Sequence, residues 1–357
     1  MKYTESKLKV FKFRSFSKTL SCGSIQIKKN IISVIKEINM GKGLVLAGEP
    51  MGLLIAQSEG PLDSVKGYSL AVAGAEFNVA TGSARLGHKT AYLTKLGDDP
   101  FGKLITRTLR ENKIDDNLVI FSSEKRTGFM LKSKVSKGDP EIFYMRKGSA
   151  ASTLSEEDVE KIDFTQFSHI HLTGILPALT DSTRAAVKLM LKKAREAGLY
   201  VSFDPNLRPQ LWPSQEVMVE YINNLASQAD LVLPGDGEGK ILCGTTDPHE
   251  INQFYRNLGA KTVITKCGPK GALCLDGDRE FMIPGFIIDK VVDTVGAGDG
   301  FATGILTGLM EGLPLEKCVE RACAIGAIQC TFVGDNEGLP TPEQLKAFIE
   351  SHKRVQL

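Results

Sequence analysis

The sequence predicts an α/β protein: a central, mostly parallel β-sheet with helices on both faces and a small β-sheet lid. Three observations carry this reading. From Gly43 onward, short β-rich runs alternate with helical stretches, the βαβ pattern that builds a parallel sheet covered on both sides. Small or polar turn residues follow strand after strand, at Gly48-Glu49, Gly174, Asp204-Pro-Asn206 and Lys266-Cys-Gly268. Two regions, 53–73 and 119–146, interrupt the alternation with strand-like runs and turn residues (Gly60-Pro61, Gly138-Asp139-Pro140). These two regions are expected to pair into the lid.

Taken in order, Leu44-Val-Leu-Ala47 is an apolar run that ends at a glycine, so it reads as a buried strand. Residues 77–86 read as a helix closed by Gly87, and 90–96 as a strand. Residues 101–112 carry apolar side chains at helical spacing. Later strands are expected at 169–172, 200–203, 231–233 and 262–265, each after a helix. Ligands of such sheets bind at the carboxyl ends of the strands, where the four turn clusters fall.

The chain has 357 residues, 42% of them hydrophobic, enough for a large core. No run approaches the ~18 apolar residues of a membrane span. The formal charge of +2 is unevenly spread: residues 1–39 hold nine Lys/Arg and two Glu, leaving 35 basic and 40 acidic side chains in the rest. A net acidic body offers no footing for nucleic acid. Residues 1–39 are therefore set apart as a basic extension outside the fold, and 40–357 as the working domain. The extension's composition fits either an organellar transit peptide or translated sequence ahead of a start at Met40. The seven cysteines form no Cys-x-x-Cys, which fits reduced thiols in a cytoplasmic protein.

The most informative stretch is Asp293-Thr-Val-Gly-Ala-Gly-Asp299, followed by Gly300-Phe-Ala-Thr-Gly304. Gly296, Ala297 and Gly298 lack bulky side chains, so their N–H groups can turn toward one point. A helix opening near Asp299 adds its free N–H groups and the positive end of its dipole. The result is an anion hole for a phosphate whose charge grows during transfer, with Asp299 placed to accept a proton from an attacking hydroxyl. The bland alternative is an ordinary helix N-terminus with an Asp in its first turn.

Three further segments bear on a ligand. In Ala73-Gly74-Ala-Glu-Phe-Asn78, Gly74 allows close approach and Asn78 offers a donor and an acceptor to sugar hydroxyls. In Glu141-Ile-Phe-Tyr144-Met-Arg146, strand spacing puts Tyr144 and Arg146 on one face, suited to a carboxylate or polyol. In Asp204-Pro-Asn206-Leu-Arg208, the prolines keep Asn206 and Arg208 in a loop over the sheet's edge. A helix start, a solvated strand face and a structural loop are the respective alternatives.

The 293–304 string resembles the second signature of the ribokinase-like sugar kinases, and the 73–80 segment resembles their first. With the Tyr144 and Arg208 segments, residues 43–350 look like the 2-keto-3-deoxygluconate kinase branch of that family. Ala73 departs from the pattern, standing where a second glycine is often found. The resemblance implies a ribokinase-like fold and a phosphotransferase with an alcohol acceptor. It implies that Gly74, Tyr144, Arg146 and Arg208 bind a sugar acid and that Asp299 is the base. ATP would contact Asn206, Arg208, Lys266, Gly268, Gly271, Gly296 and Gly298. Many members carry Asn-x-x-Glu where this chain has Gly235-Asp-Gly-Glu238. Glu238 is thus the expected magnesium residue, acting through water, with Asp236 or Asp204 as substitutes. A monovalent cation near Asp293 is common in relatives, and its presence here stays open.

Two motifs are read as decoys. Gly97-Asp-Asp-Pro-Phe-Gly102-Lys103-Leu104 mimics a phosphate loop, but Leu104 lacks the hydroxyl and two aspartates would repel phosphate. His169 and His171 share a strand face without a third ligand and are read as core histidines. The resulting expectation is Mg-ATP-dependent phosphorylation of the terminal hydroxyl of 2-keto-3-deoxygluconate by a cytoplasmic homo-oligomer. A fructokinase-like enzyme and a sugar sensor without turnover are the alternatives.

Overall fold

The computed structural model describes residues 42–135 and 140–356. The basic extension 1–39 and residues Gly138 and Asp139 of the expected lid turn lie outside them. Thirteen strands are described: β1 (Gly43–Ala47), β2 (Met51–Glu59), β3 (Tyr68–Ala73), β4 (Thr90–Gly97), β5 (Val119–Ser122), β6 (Phe129–Lys134), β7 (Ile142–Met145), β8 (Phe167–Thr173), β9 (Tyr200–Asp204), β10 (Leu231–Val232), β11 (Thr262–Lys266), β12 (Gly271–Asp276) and β13 (Arg279–Pro284). Nine form one sheet in the order β13-β12-β11-β10-β9-β8-β1-β4-β5. Pairing is parallel from β5 through β11, and an antiparallel meander closes the other edge.

The period-2 alternation of side chains divides the core between the two faces of this sheet. Val45, Leu93, Ile170, Val201 and Val263 belong to one apolar cluster. Leu44, Leu46, Tyr92, Leu231 and Ile264 belong to the other. Helices Asp181–Glu196 and Gln215–Ala226 supply apolar side chains to the first cluster, and helices Ala75–Arg85, Ala297–Met310 and Leu315–Gln329 to the second. Among the described residues no helix is long and apolar enough to cross a membrane.

The lid is a separate sheet, β3-β2-β6-β7, with its own small core of Met51, Leu53, Ala73 and Met130. One part of the expected lid belongs elsewhere. Residues 119–122 pair in parallel with β4, Thr94 opposite Val119 and Gly97 opposite Ser122, at the edge of the large sheet. They complete a βαβ unit through helix Pro100–Glu111, and a short run of Val, Ile and Phe does not encode which sheet it will join.

Both decoys behave as read. Asp99 caps helix Pro100–Glu111 by accepting Gly102 N at 2.9 Å. His169 and His171 bond Ser168 and Ser202 at 2.9 Å. Burial depresses their pKa values to about 4 and about 3, so both rings stay neutral.

Candidate active site

The carboxyl ends of β1, β9 and β11 open into a cavity of about 640 Å³, roofed in part by Met130, Ile142 and Tyr144 of the lid. Helix Ala297–Met310 enters it with its N-terminus. Gly296 is the N-cap at φ 79°, and a Cβ there would stand 2.1 Å from the Asp335 carbonyl oxygen. Only glycine fits that approach and that φ. Ala297 N bonds Thr294 O at 3.3 Å and Gly300 N bonds Gly296 O at 2.8 Å. Among the described residues, nothing takes up the N–H groups of Gly298 and Asp299. Gly296 and Gly298 line the cavity, whereas Ala297 does not.

Asp299 also lines the cavity. Asn78 donates its Nδ2 to Asp299 Oδ2 at 2.7 Å. Burial, reinforced by Asp204 and Glu76, lifts the carboxyl from 3.8 to about 7 against the opposing pull of Asn78 and Arg208. A carboxylate tuned near neutrality beside unfilled N–H groups is suited to take a hydroxyl proton while those groups hold a phosphate.

On the lid side, Gly74, Asn78, Tyr144 and Arg146 all border the cavity. The sequence reading gives Asn78 to sugar hydroxyls. Its amide donates one hydrogen to Asp299, and its Oδ1 accepts Asn336 Nδ2 at 3.1 Å, which leaves one N–H and one lone pair uncommitted. The same reading makes Arg146 a cation for the ligand; it lines the cavity with its Nε bonded to Glu49 Oε2 at 2.7 Å. Glu49 is 2% exposed and also accepts the Ser149 hydroxyl. Gly74 caps helix Ala75–Arg85 at φ 142°, close against Glu49 O and Pro50. Glu76, 1% exposed, accepts the Thr173 hydroxyl through Oε1, while Oε2 has no partner among the described residues. Burial raises its pKa.

On the opposite side, Asn206, Arg208 and Lys266 line the cavity. Asn206 sits at φ 39°, held by a bond from its N–H to Asp204 Oδ1 at 3.1 Å. Arg208 Nη1 folds onto Asn206 Oδ1 and Leu207 O, both at 2.8 Å. Those acceptors are neutral, so its charge has no carboxylate partner among the described residues. Lys266 Nζ bonds Asp204 Oδ2 at 2.6 Å and lies 3.9 Å from where a Cβ on Gly298 would stand. Burial works against that ammonium, but Asp204 and Glu238 hold its pKa raised. Gly268 and Gly271 form the turn into β12 and do not line the cavity.

Glu238 accepts Leu207 N and Gly235 N, each at 2.8 Å, one on each oxygen. Each oxygen keeps a lone pair, which fits a water-mediated hold on magnesium. Asp236 is exposed and outside the cavity lining, so of the two substitutes only Asp204 remains in place.

A monovalent metal ion does not fit at Asp293, because Lys132 Nζ already stands 2.7 Å from its Oδ2 and 3.1 Å from Asp335 Oδ1. Lys132, Asp335 and Glu76 carry no local signal as site residues, and Glu49 carries none that says what it bonds. Their partners are distant in sequence, and only Gly48-Glu49 is marked by its place after a strand.

A sequence profile of the pfkB family carbohydrate kinases matches residues 42–342. The 2-dehydro-3-deoxygluconokinase of Bacillus subtilis (strain 168) is 43% identical over 312 residues, covering 87% of this chain and 96% of that protein. The enzyme of the same name from Thermoproteus tenax is 30% identical, covering 86% and 94%. Fructokinase-1 of Oryza sativa subsp. japonica is 31% identical, covering 81% and 94%. Among solved structures, a PfkB protein from Polaromonas sp. JS666 superposes with a TM-score of 0.79 at 40% identity, covering 86% and 99%. A Vibrio cholerae O395 fructokinase double mutant, solved with fructose, ADP and potassium ion, gives 0.76 at 26%, covering 87% and 99%.

Proposed function

The chain belongs to the pfkB family of carbohydrate kinases, and on that premise we propose that it phosphorylates the 6-hydroxyl of 2-keto-3-deoxygluconate with Mg-ATP. The observation that carries this is Asp299 beside the free N–H groups of the Ala297–Met310 helix, with its pKa lifted to about 7. The name shared by the Bacillus subtilis and Thermoproteus tenax relatives supports the sugar acid.

Asp299 takes the proton of the attacking hydroxyl, held in place by Asn78. The Gly298 and Asp299 N–H groups, at a helix start shaped by Gly296, receive the charge that develops on the phosphate. ATP is assigned to the Asn206, Arg208 and Lys266 side, where Lys266 stands closest to the anion hole. Bound Mg2+ would supply counter-charge to the phosphates, with Glu238 holding its water shell. Tyr144 and Arg146 face the other end of the sugar, and Arg208, which has no carboxylate hydrogen-bond partner among the described residues, bridges the sugar and the phosphates. Residues 40–357 form the kinase domain. The exposed Leu70, Phe143 and Met145 of the lid favour a homo-oligomer built on that sheet, testable by sedimentation. The six free cysteines of the described residues favour a reducing, cytoplasmic setting.

One observation favours a neutral sugar: Glu49 already balances Arg146. Steady-state kcat/KM for 2-keto-3-deoxygluconate against fructose separates the two. The sugar acid should lead by at least tenfold, and a preference for fructose refutes the assignment.

A further inference from the structure

Lys132 lies on lid strand β6, yet its ammonium is buried behind the anion hole rather than in solvent. It is 2% exposed and bridges Asp293 and Asp335, whose side chains are 8% and 7% exposed. Both partners belong to the backbone that shapes the hole. Asp293 Oδ1 accepts Val295 N at 3.0 Å, just before Gly296. Asp335 places its carbonyl oxygen against Gly296, and Gln329 secures the neighbouring Gly334 O at 2.9 Å.

Two buried carboxylates facing one point repel each other unless a cation sits between them. Here that cation is tethered to the chain. Burial opposes the ammonium, but Asp335 and Asp293 together raise its pKa, so it stays charged. The Vibrio cholerae fructokinase, solved with a potassium ion, shows that a related fold is compatible with a free monovalent ion.

We propose that Lys132 is a resident monovalent cation: its ammonium joins the 293–296 and 334–335 segments, positions the anion hole, and makes turnover independent of added potassium. Because it comes from β6, the same contact links the lid to the phosphate-binding loop. This inference rests on the kinase reading only for its activity arm.

The test compares the full-length protein with Lys132→Ala and Lys132→Met in buffers of choline, sodium, potassium, ammonium or methylammonium chloride at equal ionic strength. Parent kcat should vary by less than twofold across the series. Lys132→Ala should lose at least tenfold in choline and recover saturably with potassium, ammonium or methylammonium. Lys132→Met should lose as much without recovery, because its side chain still fills the space. Melting temperature, which needs no substrate, should rise with potassium in Lys132→Ala but not in the parent. That arm separates failure of the cation assignment from failure of the kinase assignment. Activation of the parent by potassium overturns the proposal even if neither variant folds. So does a folded Lys132→Ala that keeps its rate in choline, or that no cation restores in either rate or melting temperature.

Discussion

Replacing Asp299 with Asn removes one ionisable proton site from the cavity and changes little else. The amide oxygen can still accept from Asn78 Nδ2, now 2.7 Å from the carboxylate. Two consequences of opposite sign follow. Without a base, kcat should fall on the order of 10²–10⁴-fold while sugar binding changes little. Stability should move the other way. The folded-state pKa is raised, so the ionised carboxylate is destabilising, and the penalty grows as pH climbs from 3.8 to about 7 and is complete above that. That rise corresponds to a ceiling of about 4 kcal/mol. Water in the open cavity screens the charge and reduces this to about 1–2 kcal/mol. For a domain of this size the gain is about 1.5–3 °C in melting temperature at pH 8, shrinking toward zero as pH falls to 4. A coupled ADP-release assay measures the first effect and thermal melts at pH 8 and pH 4 the second. Near-normal turnover by a pure preparation removes Asp299 as the base. A melting temperature unchanged or lowered at pH 8 refutes the desolvation argument.

The remaining predictions concern pH, charge and the extension. In the parent, log kcat/KM should rise with pH and level off above about 7, as Asp299 loses its proton; an acid limb centred near 4 would show that the carboxyl is not shifted in solution. Arg208→Ala should raise KM for the sugar acid roughly 10–150-fold, the worth of one charge-assisted hydrogen bond, and should lower kcat if the guanidinium also touches the phosphate. Arg146→Ala should harm sugar acid and neutral sugar alike, because it leaves Glu49 buried without its cation; selective loss of the sugar acid would place Arg146 on the carboxylate instead. A protein beginning at Met40 should match the full chain in melting temperature and kinetics, and insolubility or inactivity would make residues 1–39 part of the fold.

Local pattern alone determined the βαβ body, the helix over 101–112, the helix opening near Asp299, and the catalytic candidate Asp299, while the caps at Asp99 and Gly296 came from the structure. Each depends on neighbours a few residues apart: alternation along a strand, a cap before a helix, glycines before an Asp. Residues 119–122 show where that ends, because strand propensity does not choose between two sheets and only the register with β4 does. The same boundary runs through the site. Strand ends marked several residues that face the cavity, but they also marked Gly268, which does not, and they said nothing of what the polar atoms do there. The Asn78–Asp299 and Arg146–Glu49 contacts join residues far apart in the chain, and no local pattern announces them. The Lys132 bridge spans 161 and 203 residues of sequence. A charged side chain is read from sequence as solvated; only tertiary packing, by burying two carboxylates at one point, decides that it must be their counter-ion.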